Sequence, residues 1–516
     1  MSMATTRSSA AAQPALGEQQ PIVTSEEQAP AAAPAKPATH DTVPPPALLD
    51  FMMKSWKPRS KKLPPKIKQA EAFKARRRAL SKLFPGETLI IPTGHEKVRA
   101  NDTNFRFRPG SDFYYLTGNL EPDCVLVLQP KEKGGHTDVL FVEPNPGRTD
   151  ATFFTDRVKG ELWEGPRLGV KESQARYGVD QARSLNELPA FLSGLSGAES
   201  RPTRLLRGLS PKVDGAVPAP GEKDKGLAQA LSEMRLLKDA QELRELQTSI
   251  DSTHRGFEDV IRGLKTAKTE RYVEGIFNLR ARVEGNDVGY RTIAASGAHA
   301  CILHWHHNDG PLVPGDLLLL DAGVEGQTLY TADITRTLPI SGKFSKEQRE
   351  IYELVLEAQD AAFAEVKPGN DFMEPNRAAM RVLAEGLEAL GILEDAEEAL
   401  KDEHQFYKRY SLHNVSHMLG LDVHDCAQAR QETYKYGKLQ AGMVLTVEPG
   451  LYFQMDDLTV PKRYRGIGVR IEDDVVVTAR GCKVLSADIP RKAKDVEAWM
   501  KSLWAADKAA RKGKKK

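Results

Sequence analysis

Cysteine is scarce in this 516-residue chain. The four present, Cys124, Cys301, Cys426 and Cys482, lie far apart with no Cys-x-x-Cys spacing, which argues against a disulfide scaffold or a structural zinc site and predicts reduced, buried thiols in a cytoplasmic protein. Long hydrophobic runs are also missing. None approaches the roughly 20 residues that span a bilayer, so no membrane partner is expected. Nor is there an excess of charge of one sign. The 73 Lys and Arg against 71 Asp and Glu leave a formal net charge of +2, too little to gather nucleic acid or an acidic membrane, so no nucleic-acid partner is expected. The opening residues lack the basic start, apolar stretch and cleavage site of a secretory signal.

The chain does have the composition of an ordinary soluble globular protein, 40% hydrophobic and 28% charged, at a length beyond what one hydrophobic core usually organises. Two folded domains between tails are expected. Residues 1–60 are Ala/Pro-rich, bury too little apolar surface to offset their ordering entropy, and read as a disordered tail. From about Lys66 the pattern becomes regular. KQAEAFKARRRALSKLF predicts an amphipathic helix, and TLIIPTG, DFYYLTG, DCVLVLQP and TDVLFVEP predict strands. With a helical VDQARSLNELPAFLSGL these make residues 61–222 an α/β amino-terminal domain, closed by SPKVDGAVPAPGEKDKG as the interdomain linker.

Residues 223–500 open with helical stretches, LAQALSEMRLLKDAQELRELQTSIDSTHRGFEDVIRGL and RYVEGIFNLRARVEG. The pattern then turns β-like in YRTIAASG, DLLLLDAGV, TADITRTLPI, MVLTVEPGLYF and GIGVRIEDDVVVT, with two helices between. This predicts an α+β domain with a substantial antiparallel sheet. Residues 501–516, ending KAARKGKKK, read as a solvated basic tail.

Acids inside strands are the anomaly of the second domain, because a carboxylate on an apolar strand is costly to desolvate unless a cation or a hydrogen-bond network offsets it. Asp321 ends LLLLDAG, Asp333 sits in TADITRT, Glu448 in LTVEPG and Glu472 in GVRIEDD. A single such acid is more often a strand-end residue; four, joined by a histidine-rich segment, point to a site. That segment, HNVSHMLGLDVHD, places His413, His417 and His424 within 12 residues. It suggests one imidazole that ligates metal and others that move protons or steady developing charge. Carboxylates with one imidazole and no thiolate suit Mn(II), and also hold Co(II) or Zn(II). Five ligands exceed the needs of one catalytic zinc with an open position, and match two divalent ions bridged by shared carboxylates.

In their order along the chain, LLLLDAG, TADITRT, HNVSHMLGLDVHD, LTVEPGLYF and GIGVRIEDD resemble the motifs of the pita-bread metallopeptidases. RPGSDFYYLTG with EPDCVLVL resembles the amino-terminal domain of bacterial Xaa-Pro aminopeptidases. The resemblance implies a curved, mainly antiparallel sheet in the catalytic domain. It implies a cage in which Asp321 serves one ion, Asp333 and Glu472 bridge, and His417 and Glu448 serve the other. It further implies that Glu448 accepts the proton of a water held between the ions, and that His424 donates to the tetrahedral intermediate. His304, in CILHWHHNDG, would contact substrate near the scissile bond, and His413 would line the proline side of the cleft. Arg470 would anchor the site by pairing with an acid, with Tyr452 in support. His306 and His307 match no family role and read as rim residues. Asp102 and Arg167 resemble amino-terminal-domain residues that reach a neighbouring subunit's site in tetrameric relatives.

The implied activity is removal of the first residue of a peptide substrate whose second residue is proline, by a homodimer or homotetramer. A bond to proline is a tertiary amide with no N–H, so it needs a dedicated pocket. A prolidase, with the same cage but restricted to dipeptides, is the nearest alternative; YRGIGVRIEDD and the DFYYLTG domain resemble the aminopeptidase branch more closely. The large amino-terminal domain disfavours a methionine aminopeptidase, and five retained ligands disfavour a catalytically dead binding module. The cage alone leaves a phosphotriester or creatine substrate open.

Overall fold

The computed structural model describes residues 44–513 except 61, 197–200 and 218–220; the expectation of disorder for residues 1–43 lies outside the described residues. In the amino-terminal domain, β1 (Thr88–Pro92), β2 (Val125–Pro130), β3 (His136–Val142), β4 (Gln181–Ser184) and β5 (Thr203–Leu205) form one sheet in the order β4-β3-β2-β1-β5. The inner pairs are antiparallel and the two outer pairs parallel. The central strands β1, β2 and β3 read as largely apolar runs because both faces are covered there. Leu89 and Ile91 share a cluster with Leu80 of helix α1 (Ala70–Leu83), while Ile90 packs with Leu188, Leu192 and Val213 on the other side.

Four expectations change here. DFYYLTG is not a strand but helix α2 (Ser111–Thr117). It ends at Gly118 in the left-handed region at φ 66°, where a side chain would strike the Phe73 ring. Residues 113–117 are buried in succession; enclosure on every side outweighs the strand preference of Phe and Tyr. VDQARSLNELPAFLSGL splits into strand β4 and a helix over Leu188–Ser193. The supposed linker is largely ordered, with a helix over Pro211–Ala216 whose Val213 is buried. Both tails are shorter than expected. Pro46–Met52 is helical and Trp56 packs on Phe154, while a helix runs through residue 500 over Ala493–Gly513, the Trp504 indole N–H donating to the Ile261 carbonyl at 2.6 Å.

The second domain begins with helices α3 (Glu222–Arg235), α4 (Ala240–Leu264) and α5 (Glu270–Glu284). Asp239 caps α4 and exchanges hydrogen bonds with Glu242 in a capping box, which fixes where that helix starts. The strands then form antiparallel sheets, one of them β6 (Ile293–Ser296), β7 (Leu317–Ala322) and β8 (Ile334–Pro339) in the order β8-β7-β6. A second hairpin pairs β9 (Val444–Val447) with β12 (Asp473–Val477), and β10 (Gly450–Tyr452) with β11 (Gly468–Arg470). Helices α6 (Lys346–Glu365) and α7 (Glu374–Ala389) cover these sheets, burying Tyr352, Val355 and Leu383 in one core with Leu318, Leu320, Leu445 and Ile471.

The two domains share an apolar cluster in which Leu80, Phe113 and Tyr115 meet Leu246, Leu419 and Val444. Among the described residues no helix is long and apolar enough to cross a membrane.

Candidate active site

The hairpin that carries two of the acids is interrupted rather than bent out of register. Val447 pairs with Asp473 on one side of the gap and Gly450 with Arg470 on the other, so the register carries across and sets Glu448 opposite Glu472. Like charges directly opposite in an antiparallel pair repel. Neighbouring residues hold the arrangement in place. The Glu472 backbone N–H donates to the Thr335 carbonyl at 3.1 Å, and the Thr335 hydroxyl donates to Glu472 Oε2 at 2.6 Å. Asp473 is turned away into a buried pair with Arg336 at 2.7 Å, and Asp474 accepts from the Asp333 backbone N–H at 3.1 Å. Of the run Glu472-Asp473-Asp474, Glu472 is the one that lines the cavity.

β7 and β8 supply the other two acids. Asp321 is paired across the sheet with Thr335, and Asp333 precedes β8 directly. Asp321 Oδ2 accepts from Arg470 Nη2 at 2.6 Å and Oδ1 from the Tyr290 hydroxyl at 2.6 Å. The acid expected to pair with Arg470 is therefore Asp321. Arg470 also donates to the Tyr452 hydroxyl at 2.9 Å, and that hydroxyl lies 2.7 Å from His413 Nε2.

The histidine segment runs alongside β9: the Thr446 backbone N–H donates to the His417 carbonyl at 3.0 Å, the His417 backbone N–H donates to the Thr446 hydroxyl at 3.2 Å, and the Glu448 N–H donates to the Val415 carbonyl at 2.8 Å. His417 Nδ1 sits 3.1 Å from the Met418 carbonyl. As a donor there, it leaves Nε2 facing Asp333 Oδ2 at 3.2 Å and Glu448 Oε1 at 3.6 Å. His424 stands perpendicular to His417 with ring centroids 4.4 Å apart. Both flanks of His424 are tied down. Asp422 accepts from the Ser111 hydroxyl of the amino-terminal domain at 2.6 Å, and the buried Asp425 is paired with Lys238 at 3.1 Å and Arg235 at 3.3 Å.

All eight predicted residues beyond Glu448, namely Asp321, Asp333, His417, Glu472, His304, His413, His424 and Arg470, line one cavity of about 600 Å³ with it. Three of the five expected ligands, Asp333, His417 and Glu472, bring ligand atoms within 4.8 Å of one another. Asp321 and Glu448 line the same cavity outside that tightest group. Burial and the facing Asp333, Glu448 and Asp321 raise the Glu472 carboxyl well above the ordinary carboxylate range. Burial, opposed by His417, raises that of Glu448. Burial opposes a charge on His417, but the hydrogen bond to Asp333 and the Glu448 carboxylate push it up to about 9. Four acids crowded around one guanidinium and one imidazole repel one another, a strain that cations relieve, and the oxygen-rich donors fit hard divalent ions.

Residues 244–479 match the model of metallopeptidase family M24, and residues 73–203 that of the aminopeptidase P amino-terminal domain. Xaa-Pro aminopeptidase 1 of Streptomyces coelicolor is 51% identical over 441 residues, 85% of this chain and 88% of that one. The chain belongs to the Xaa-Pro aminopeptidase family. Among solved structures, aminopeptidase P from Escherichia coli with the inhibitor Pro-Leu superposes with a TM-score of 0.75 at 32% identity, covering 85% of this chain and 99% of that one. A zinc-substituted E. coli aminopeptidase P in complex with product gives a TM-score of 0.75 at 33% identity, covering the same shares. This family member is accordingly a metallopeptidase that uses divalent metal.

Within this Xaa-Pro aminopeptidase fold several participants go unnoticed in the sequence. Tyr290 and Thr335 hold Asp321 and Glu472 through hydroxyls; each follows the chain pattern of an ordinary strand residue, and no local signal marks it. His306 is more than a rim residue. It lines the cavity with its ring 5.8 Å from that of His304, as the run His304-Trp305-His306 could have suggested through its period of two. His307 is exposed, Asp102 sits in an exposed turn, and Arg167 lies in the amino-terminal domain. None of these three lines the cavity of its own chain.

Proposed function

We propose that this chain removes the amino-terminal residue of a peptide when proline follows it, in the cytoplasm and as a homodimer or homotetramer, with Mn(II) as its usual ion. The observation that carries the reading is the cross-strand pair Glu448 and Glu472, joined by Asp321, Asp333 and His417, with His304 and His424 on the walls of the same cavity. Asp321, Asp333, His417, Glu448 and Glu472 would hold two divalent ions, which supply Lewis acidity toward the scissile carbonyl and lower the pKa of water at the site.

The side chains do the rest. Glu448, a carboxylate whose proton affinity burial has raised, accepts the proton of the attacking water as its oxygen bonds to the carbonyl carbon. It returns that proton to the prolyl nitrogen as the C–N bond breaks. His424, whose pKa burial and His417 push down, donates an N–H to the carbonyl oxygen as that oxygen gains negative charge. His413 is pushed down to about 4 by burial and Arg470. It therefore offers a neutral imidazole to the proline side of the cleft. Arg470 fixes Asp321 directly and His413 through Tyr452.

The test compares an Xaa-Pro dipeptide, an Xaa-Pro pentapeptide and Xaa-Ala controls with Mn(II) added. Release of the first residue from both Xaa-Pro peptides and not from the controls is expected. Cleavage of the dipeptide alone would make the enzyme a prolidase, and equal cleavage of Xaa-Ala peptides would remove the proline requirement.

A further inference from the structure

Residues 297–309 leave β6, make a 3-10 turn over Gly297–Cys301, and carry His304 and His306 to the cavity wall before the chain returns toward β7. One side chain gathers both ends and the middle of this loop. Glu270, the first residue of α5, is 0% exposed. Its Oε1 accepts from the Ser296 backbone N–H at 2.7 Å and from His299 Nδ1 at 2.8 Å. Its Oε2 accepts from the Gly310 backbone N–H at 2.7 Å and from the Trp305 indole N–H at 2.8 Å. The His299 ring stacks on Trp305 with centroids 3.9 Å apart, and the Glu270 backbone N–H closes the loop neck on the Gly310 carbonyl at 3.0 Å.

Four donors on two oxygens satisfy a buried carboxylate, which accepts at both oxygens and donates from neither. Glutamine has the same shape but replaces one oxygen with an NH₂ that would face two N–H donors. Trp305 stands between His304 and His306 in the chain, so anchoring its indole on Glu270 and His299 holds the backbone from which both neighbours project.

We propose that Glu270 is a positioning residue of the peptidase reaction, the staple that fixes the loop so that His304 faces the metal-binding acids across the cavity. This rests on the reading of His304 as a substrate contact, and the experiment separates the two.

Glu270→Gln should keep its metal content and speed amide hydrogen exchange in residues 297–310 while leaving β7 as in the wild type. It should lower kcat/KM by about 100-fold, the scale of a catalytic group displaced by 1 Å. Placed on His304→Ala, the same change should cost less than about twofold, because residues that act through one another are not additive. Where Glu270→Gln folds poorly, Trp305→Phe keeps the ring on His299 and deletes one donor, and should give about a tenfold loss with the same dependence on His304. Unchanged loop exchange, wild-type kcat/KM, or an equal loss in the two backgrounds would overturn the proposal. Full activity of His304→Ala alone would overturn the substrate-contact reading, and with it the catalytic role drawn for Glu270, while the exchange data would still report whether the staple holds the loop.

Discussion

Replacing Arg470 with methionine separates the electrostatics of the site from its ions. Arg470 is 3% exposed, with Nη2 2.6 Å from Asp321, Nη1 2.9 Å from the Tyr452 hydroxyl and Nε 3.3 Å from the Thr335 hydroxyl. Methionine keeps much of the apolar stem and removes the charge. In chelator-treated protein, Asp321 is then an uncompensated buried acid beside Asp333, Glu448 and Glu472. Breaking a buried pair in this way costs about 3–5 kcal/mol. At about 2–4 °C per kcal/mol for a domain of this size, metal-free Arg470→Met should melt roughly 6–20 °C below metal-free wild type. Reloading Mn(II) supplies positive charge to the same acids, so most of the gap should close. Activity should stay low even then, because Tyr452, and His413 through it, lose their anchor. Scanning calorimetry of both proteins, with and without chelator, reads the two gaps. A metal-free variant melting within about 2 °C of wild type would refute the assignment of Arg470 as the charge that holds Asp321. A gap unchanged by Mn(II) would refute the claim that ions and guanidinium relieve the same repulsion.

Asp333→Ala should abolish peptide release and metal binding together, checked by metal analysis of the purified variant; an active Asp333→Ala enzyme would sink the cage. His424→Ala should retain its ions and lose about 100- to 1,000-fold in turnover, the usual cost of an oxyanion donor, and loss of metal would mark His424 as a ligand. Metal affinity should rise with pH up to about 9 and then flatten, because His417 binds ions in its neutral form and the metal-free site holds it protonated below that value. Calorimetric titration near neutral pH in buffers of different ionisation enthalpy should therefore detect protons released on ion binding, and none released would contradict the raised His417 and Glu448.

Much of this is legible along the chain. α1, α4 and α5 follow from helical periodicity and from Asp239 at its cap position, since each of these signals lies within a few residues of what it specifies. The strands β7, β8 and β9 are equally plain as β-branched and leucine-rich runs. DFYYLTG is misread because its enclosure comes from α1 and β1 of its own domain together with residues of the second domain, to which no residue of the segment itself refers. The ordered ends at Pro46–Met52 and Ala493–Gly513 depend likewise on remote surfaces.

For the site, the sequence determines which side chains are available: four acids in or directly beside apolar strands and three histidines in one short segment, a combination that cations relieve. Tertiary structure decides how they face one another. An unbroken register across the gap sets Glu448 against Glu472, Thr335 joins Glu472 from a strand 137 residues away in sequence, and Glu270 ties a loop whose donors span Ser296 to Gly310. Helical and strand preferences act over a few neighbours, whereas these contacts depend on how separate sheets dock, a choice set by burial of the whole core and written in no single segment.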